Sequence, residues 1–173
     1  MDKKIHSMNS MLRECIVEHL LIGKILRTLW RRGIYDAEIL RSEYDAGGYD
    51  LVLTYRDLVR HVQLKTMLDG GKTDEFKIGL RLADRPSGCV ICVVVSADLK
   101  LARYLWFGGT PGEPLPTITQ MKVARHSKGT AKGVKLERAA HRAVQLKKFT
   151  EVTAIESLVD CLVGRIAQSN EQD

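Results

Sequence analysis

The chain has 173 residues, a formal net charge of +6 and a pI near 9.2, enough for one domain with a real core and too few for two. Its 45% hydrophobic and 28% charged residues are ordinary for a globular protein. No apolar run reaches the ~20 residues that span a bilayer, and the N-terminus lacks the uninterrupted apolar stretch of a secretion signal, so a cytoplasmic location is expected.

The spacing predicts a long helix from about Ser10 to Arg32. Leu12, Ile16, Leu20 and Gly23 recur at helical intervals, and Leu26 and Trp30 continue the stripe. Asn9 or Ser10 is the candidate cap, and Gly33 follows Arg31 and Arg32, which suit a helix C-terminus. Tyr35 to Arg41 reads as a strand. Glu43 to Gly48 is a turn, with Asp45 as a turn former and Gly47-Gly48 implying a tight reversal with positive φ. Tyr49 to Tyr55 and Val59 to Met67 are strands joined at Arg56-Asp57.

Asp74 to Asp84 fits two periods. Phe76, Ile78, Leu80 and Leu82 alternate, while Phe76, Leu80 and Ala83 share a helical face. A helix is expected, with Thr73 as N-cap and Pro86 beyond its end. Val90 to Val95 has the composition of a fully buried central strand. Arg103 to Phe107 is a further strand, Gly108 to Pro116 an irregular loop, and Gln120 to Lys135 a basic surface loop. Arg142 to Phe149 reads as a late strand. Thr153 to Glu156 has the capping-box pattern of a last helix through Leu162, and Ser169 to Asp173 reads as a frayed tail. The order describes one mixed α/β domain, 1–173, with helices on both faces of a central sheet. Its core spans about 10–98 and a basic C-terminal elaboration about 99–173.

Charge and cysteines are unevenly placed. From Lys122 to Lys148 there are nine Lys or Arg against one acid, Glu137. Lys122, Arg125, Lys128, Lys132 and Lys135 are candidates for tracking a phosphate backbone without reading bases. Few aromatics interleave there, so base stacking has little support. Cys89 and Cys92 form a CxxC inside an apolar strand, where residues three apart face opposite sides. With Cys15 and Cys161 they read as free thiols rather than a zinc site. His6, His19, His61, His126 and His141 show no HxxxH or HExxH spacing.

The residues that carry chemistry lie on the two central strands. Asp50 opens the first, after Gly47-Gly48-Tyr49. Gln63 and Lys65 are two apart on the second and so share a face. An isolated Gln-x-Lys is usually the solvent-facing half of an amphipathic strand, with Val62 and Leu64 inward. Asp50 at hairpin distance argues for more. Gln145 to Lys147 repeats Gln-Leu-Lys without such a partner, and reads as exposed strand. Phosphodiester cleavage needs a positioned water, charge neutralisation and help for the leaving oxygen, which Mg²⁺ supplies. Asp50, the Gln63 carbonyl and the Leu64 backbone carbonyl are oxygen donors of the kind Mg²⁺ takes.

These residues resemble the signature of the PD-(D/E)XK nuclease superfamily, over roughly Glu18 to Ala97. The resemblance implies a restriction endonuclease-like αβββαβ core, a mixed sheet flanked by helices, with extra C-terminal strands and a helix. It implies catalytic roles for Asp50, Gln63, Lys65 and Glu18. Asp50, Gln63 and Glu18 would be ligands of Mg²⁺ or Mn²⁺, with Glu14 as the alternative to Glu18, and Lys65 would steady the attacking water or the developing charge. Gln63 stands where an acid is usual, as it does in branches resembling the Mrr type that remain nucleases. The activity implied is endonucleolytic cleavage of double-stranded DNA, of the restriction or repair kind, by a homodimer. The alternative is a catalytically inactive nuclease-like fold that binds nucleic acid or protein.

Overall fold

The computed structural model describes residues 3–44, 47–126 and 136–165. In chain order these form α1 (Lys3–Met8), α2 (Ser10–Arg31), β1 (Glu38–Arg41), β2 (Leu51–Tyr55), β3 (Leu58–Leu68), β4 (Glu75–Gly79), α3 (Leu80–Ala83), β5 (Gly88–Val95), β6 (Leu101–Gly108), β7 (Val123–Arg125), β8 (Glu137–Gln145), a 3-10 turn at Leu146–Lys148, β9 (Thr150–Val152) and α4 (Ile155–Val163). Asp45 and the tail from Ser169 lie outside the described residues.

A six-stranded sheet in the order β1-β2-β3-β5-β6-β9 forms the centre. Its strands are antiparallel except β3 and β5, which run parallel. The β2–β3 hairpin is closed by Arg56 at positive φ. A parallel pair needs a crossover, and the segment carrying β4 and α3 supplies it. The expected order of helix, three strands, helix and buried strand is present, with β4 inserted.

Every residue of β5 is buried. Cys89, Ile91, Val93 and Val95 face a core with α2 and α4, while Val90, Cys92 and Val94 face a second core on the other side. The two cysteines of the CxxC therefore point to opposite faces, and all four thiols are free. The first core draws Val17, Leu21, Ile25 and Leu29 from α2 and Leu158, Val159 and Leu162 from α4. The second is covered mainly by a three-stranded sheet, β4-β8-β7, with Phe76, Ile78 and Val144 packed inward beside Leu82 of α3. Among the described residues, helical cover on that face is the single turn of α3 with the 3-10 turn at Leu146–Lys148.

Four expectations change here. The segment 74–84 is not one helix: Phe76 and Ile78 alternate as β4, which pairs with β8, and the helix is only Leu80–Ala83. The late strand runs Glu137–Gln145, and Leu146 and Lys147 sit in a 3-10 turn rather than on a strand. The pattern at Thr153 does not close a capping box, because α4 begins at Ile155 after Ala154 and has no side-chain cap. Finally, α2 turns a different face inward. Leu12, Ile16, Leu20, Leu26 and Trp30 are exposed, and the buried stripe begins at Val17. Its end is as expected: the Gly33 N–H donates to Leu29's neighbour Trp30 O and the Ile34 N–H to Leu29 O, with Gly33 at φ 72. That is a Schellman ending, which favours glycine.

Candidate active site

β3 is longer than β2. The ladder between them begins at Leu51 opposite Val62, so β3 from Gln63 onward runs past the start of its neighbour. Asp50 stands at that point. Its backbone is pinned on both sides: its N–H donates to Val62 O at 2.9 Å, and its carbonyl accepts from the Ser42 N–H at 2.8 Å. Its carboxylate Oδ2 accepts the Leu64 N–H at 2.6 Å. The side chain thus takes up an amide where β2 has ended, and its carboxyl group is held against β3.

The turn that delivers Asp50 needs its glycines. Gly48 has φ +78, and a Cβ there would lie 3.2 Å from Leu82 N. A Cβ on Gly47 would lie 2.2 Å from the Tyr49 ring. That ring packs edge-on against His61 at 4.8 Å and under the Arg85 guanidinium at 5.6 Å.

Gln63 and Lys65 do not form a solvent-facing row. Gln63 is only 4% exposed, and its Oε1 is buried without a hydrogen-bond partner. Lys65 is half-buried, and no hydrogen bond or ion pair joins its side chain to another described residue. Its ladder partner on β5 is Cys92, whose thiol burial pushes up to about 12. Lys65, Asp50, Glu18, Glu14 and Arg41 line one open cleft of about 510 Å³, between the N-terminal half of α2 and the overhang of β3. Glu18 is ion-paired with Arg41 on β1. The contact is close but lacks hydrogen-bond geometry at Glu18 Oε1. The fold therefore brings Asp50, Lys65 and Glu18 to one cleft. Gln63 does not line that cleft; it lies one step away on the same face of β3 as Lys65.

Gln63 and Lys65 also line a second cavity, of about 340 Å³, with Glu75, Lys77, Arg138 and His141. Nothing in the sequence ties Lys77, Arg138 or His141 to Lys65, because the link is the pairing of β4 with β8. Lys122 and Arg125 lie exposed next to and on β7, with Arg125 3.8 Å from Glu137. Lys128, Lys132 and Lys135 lie outside the described residues.

The carboxylates at the first cleft, Asp50, Glu14 and Glu18, offer oxygen donors, beside the thiol of Cys15. Among the described residues no three His, Cys, Asp or Glu side chains gather as a metal-binding group, so any cation here would be held by few protein ligands. That suits Mg²⁺, which keeps several waters and is commonly held by one or two carboxylates and a substrate phosphate. Gln63 Oε1, buried and unpartnered, is the kind of atom such a cation would satisfy. No helix among the described residues is long and apolar enough to cross a membrane.

No family model and no curated protein matches the sequence. Among solved structures the chain is similar to the bacterial homing endonuclease I-Ssp6803I, with 18% identity, 72% of this chain and 85% of that chain covered, and a TM-score of 0.36.

Proposed function

We propose that the protein is an endonuclease that hydrolyses the phosphodiester bonds of DNA with Mg²⁺ or Mn²⁺, in the manner of the PD-(D/E)XK superfamily. The observation that carries this reading is Lys65. It is a half-buried ammonium with no ion pair among the described residues, in a cleft with Asp50 and Glu18. A cation placed so needs an anion from outside, and a phosphate beside two carboxylates needs a metal.

In this reading Asp50, Gln63 and Glu18 hold the metal, which supplies charge neutralisation on the phosphate and a more acidic water. Asp50 is oriented by the Leu64 N–H, so its free rotation is spent before substrate arrives. Lys65 faces the charge that grows on the non-bridging oxygens. Arg41 holds Glu18 at the cleft wall. Cutting both strands of a duplex takes two such sites, hence a homodimer, working on cytoplasmic DNA.

The test is incubation with supercoiled plasmid and Mg²⁺ or Mn²⁺. Wild type is expected to nick or linearise it, and Asp50→Ala and Lys65→Ala to lose at least about a hundredfold in rate. Equal activity in all three proteins would sink the reading.

A second reading, an inactive nuclease-like fold that binds nucleic acid, draws on the absence of a three-residue acidic group among the described residues and on the Glu18–Arg41 pair. Titration calorimetry separates the two. Mg²⁺ binding that Asp50→Ala abolishes supports the enzyme, and no Mg²⁺ binding supports the inactive fold.

A further inference from the structure

The second cavity behind Lys65 has a charge excess that the metal reading does not use. Lys65, Lys77 and Arg138 line it, with His141, against one acid, the exposed Glu75. Lys65, Lys77, Arg138 and His141 are each half-buried. The side chain of Arg138, like that of Lys65, forms no hydrogen bond or ion pair with a described residue. The buried, unpartnered Oε1 of Gln63 belongs to the same wall. The cavity is tied to the Asp50 turn through Gly79. A Cβ on Gly79 would lie 3.9 Å from Gly48 Cα and 3.9 Å from His141 Nε2. The imidazole therefore stands beside the turn that presents Asp50.

We infer that the cavity between β3 and the β4–β8 pair is a phosphate-binding subsite for the polynucleotide backbone, with Lys77 and Arg138 holding a phosphate next to the one over Lys65. Lys65 belongs to both cavities, so a strand crossing it reaches from the carboxylate cleft to the β4–β8 wall. Successive phosphates along one strand each carry a negative charge, which cations lining one cavity can neutralise. His141 adds a hydrogen-bond donor beside the Asp50 turn. Among the described residues the wall carries no aromatic platform for bases beyond the buried Phe76, which favours contact with the backbone over stacking on bases. The inference rests on the reading of Asp50 and Lys65 as a DNA-cutting site, and extends it to Lys77 on β4 and to Arg138 and His141 on β8, about 75 positions further along the chain than Lys65.

The experiment is fluorescence anisotropy of a short labelled DNA duplex over a salt series, with Ca²⁺ replacing Mg²⁺ so that cleavage does not intrude. Wild type is compared with a Lys77→Gln/Arg138→Gln double variant. A Lys24→Gln/Arg27→Gln variant, altered on the exposed face of α2, removes the same charge elsewhere. The double variant is expected to weaken binding on the order of tenfold at moderate salt, and to flatten the slope of log K against log salt by about 2. A Lys77→Gln/Arg138→Lys variant, which keeps one of the two charges, is expected to recover about half of that change in slope. Thermal unfolding checks that each variant is folded. A slope no flatter than that of the α2 control overturns the subsite, even if plasmid cleavage still depends on Asp50. A flattened slope in a wild type that cuts nothing upholds the subsite and overturns the cleavage reading. Duplex binding too weak to detect overturns the subsite as well.

Discussion

At the scale of single residues, two buried polar groups on β3 differ in how far they are satisfied. Arg60 is fully buried, and both terminal nitrogens of its guanidinium are engaged, although Nε has no hydrogen-bond partner. Its guanidinium donates to Ser87 Oγ, Thr110 O, Gly109 O and Cys161 O at 2.5–3.1 Å and lies 4.9 Å from the Trp106 ring. Burial lowers its pKa, and no carboxylate stands among its partners. It ties β3 to the loop after β6 and to the end of α4. Arg60→Ala should cost about 3 kcal/mol or more in urea unfolding, as several acceptors lose a charged donor at roughly 1–3 kcal/mol each. Arg60→Lys should recover little, since one ammonium cannot reach the same fork of acceptors. Three residues on, Gln63 leaves its carbonyl oxygen unsatisfied. A carboxylate placed there by Gln63→Glu would be raised in pKa by burial. The folded state would then bind more protons than the unfolded, so the metal-free variant should be less stable than wild type at pH 8, with the deficit shrinking as pH falls towards the unfolded value of about 4.3. Mg²⁺ should remove the deficit if Gln63 stands at a metal position. Melting curves with and without Mg²⁺ measure this, and a melting temperature that ignores Mg²⁺ at every pH would count against the site.

At the scale of elements, α2 carries two apolar stripes, and only one of them meets the sheet. Val17, Leu21, Ile25 and Leu29 are each at most 2% exposed, whereas Leu20 is 45% exposed and Trp30 68%. Leu21→Ala should therefore cost about 2–5 kcal/mol, and Leu20→Ala within about 0.5 kcal/mol of nothing; denaturant midpoints of the two variants decide the register. Gly23 has open space around its would-be Cβ, so Gly23→Ala should stabilise by up to about 1 kcal/mol. Periodicity revealed that α2 is a helix but could not choose between two stripes with the same repeat. The choice is made by α4 and the first core, which are distant in sequence. The same reason hid β4. Phe76 and Ile78 alternate, but alternation became a strand only because β8 lies alongside, some 65 residues later. The hairpin of β2 and β3 and the buried β5 were legible because their signals are local: a tight turn, and an unbroken apolar run. At the site, the placement of Asp50 before the hairpin and the shared face of Gln63 and Lys65 were legible for the same reason. Lys77, Arg138 and His141 were not, since no local pattern joins them to β3.

At the scale of the molecule, β5 belongs to both cores. Cys89, Ile91, Val93 and Val95 pack with α2 and α4, and Val90, Cys92 and Val94 with the second sheet. β5 is hydrogen-bonded to β3 on one side and β6 on the other, while β1 and β9 are the edge strands. A strand shared in this way couples the two faces. Neither core can open without stripping one side of β5 of its contacts, and the candidate cleft and the basic cavity are both lined by the overhang of β3. The molecule should unfold as one unit. Leu21→Ala weakens the helical face and Val144→Ala the face of the second sheet, where both residues are fully buried. Each should lower the exchange free energy of the β5 amides by its own full unfolding penalty, read by native-state hydrogen exchange. If the Val144 variant freed the amides of β4 and β8 and left β5 protected, the second sheet would be a separate folding unit. The wall carrying Lys77 and Arg138 could then open independently of the strand that carries Lys65.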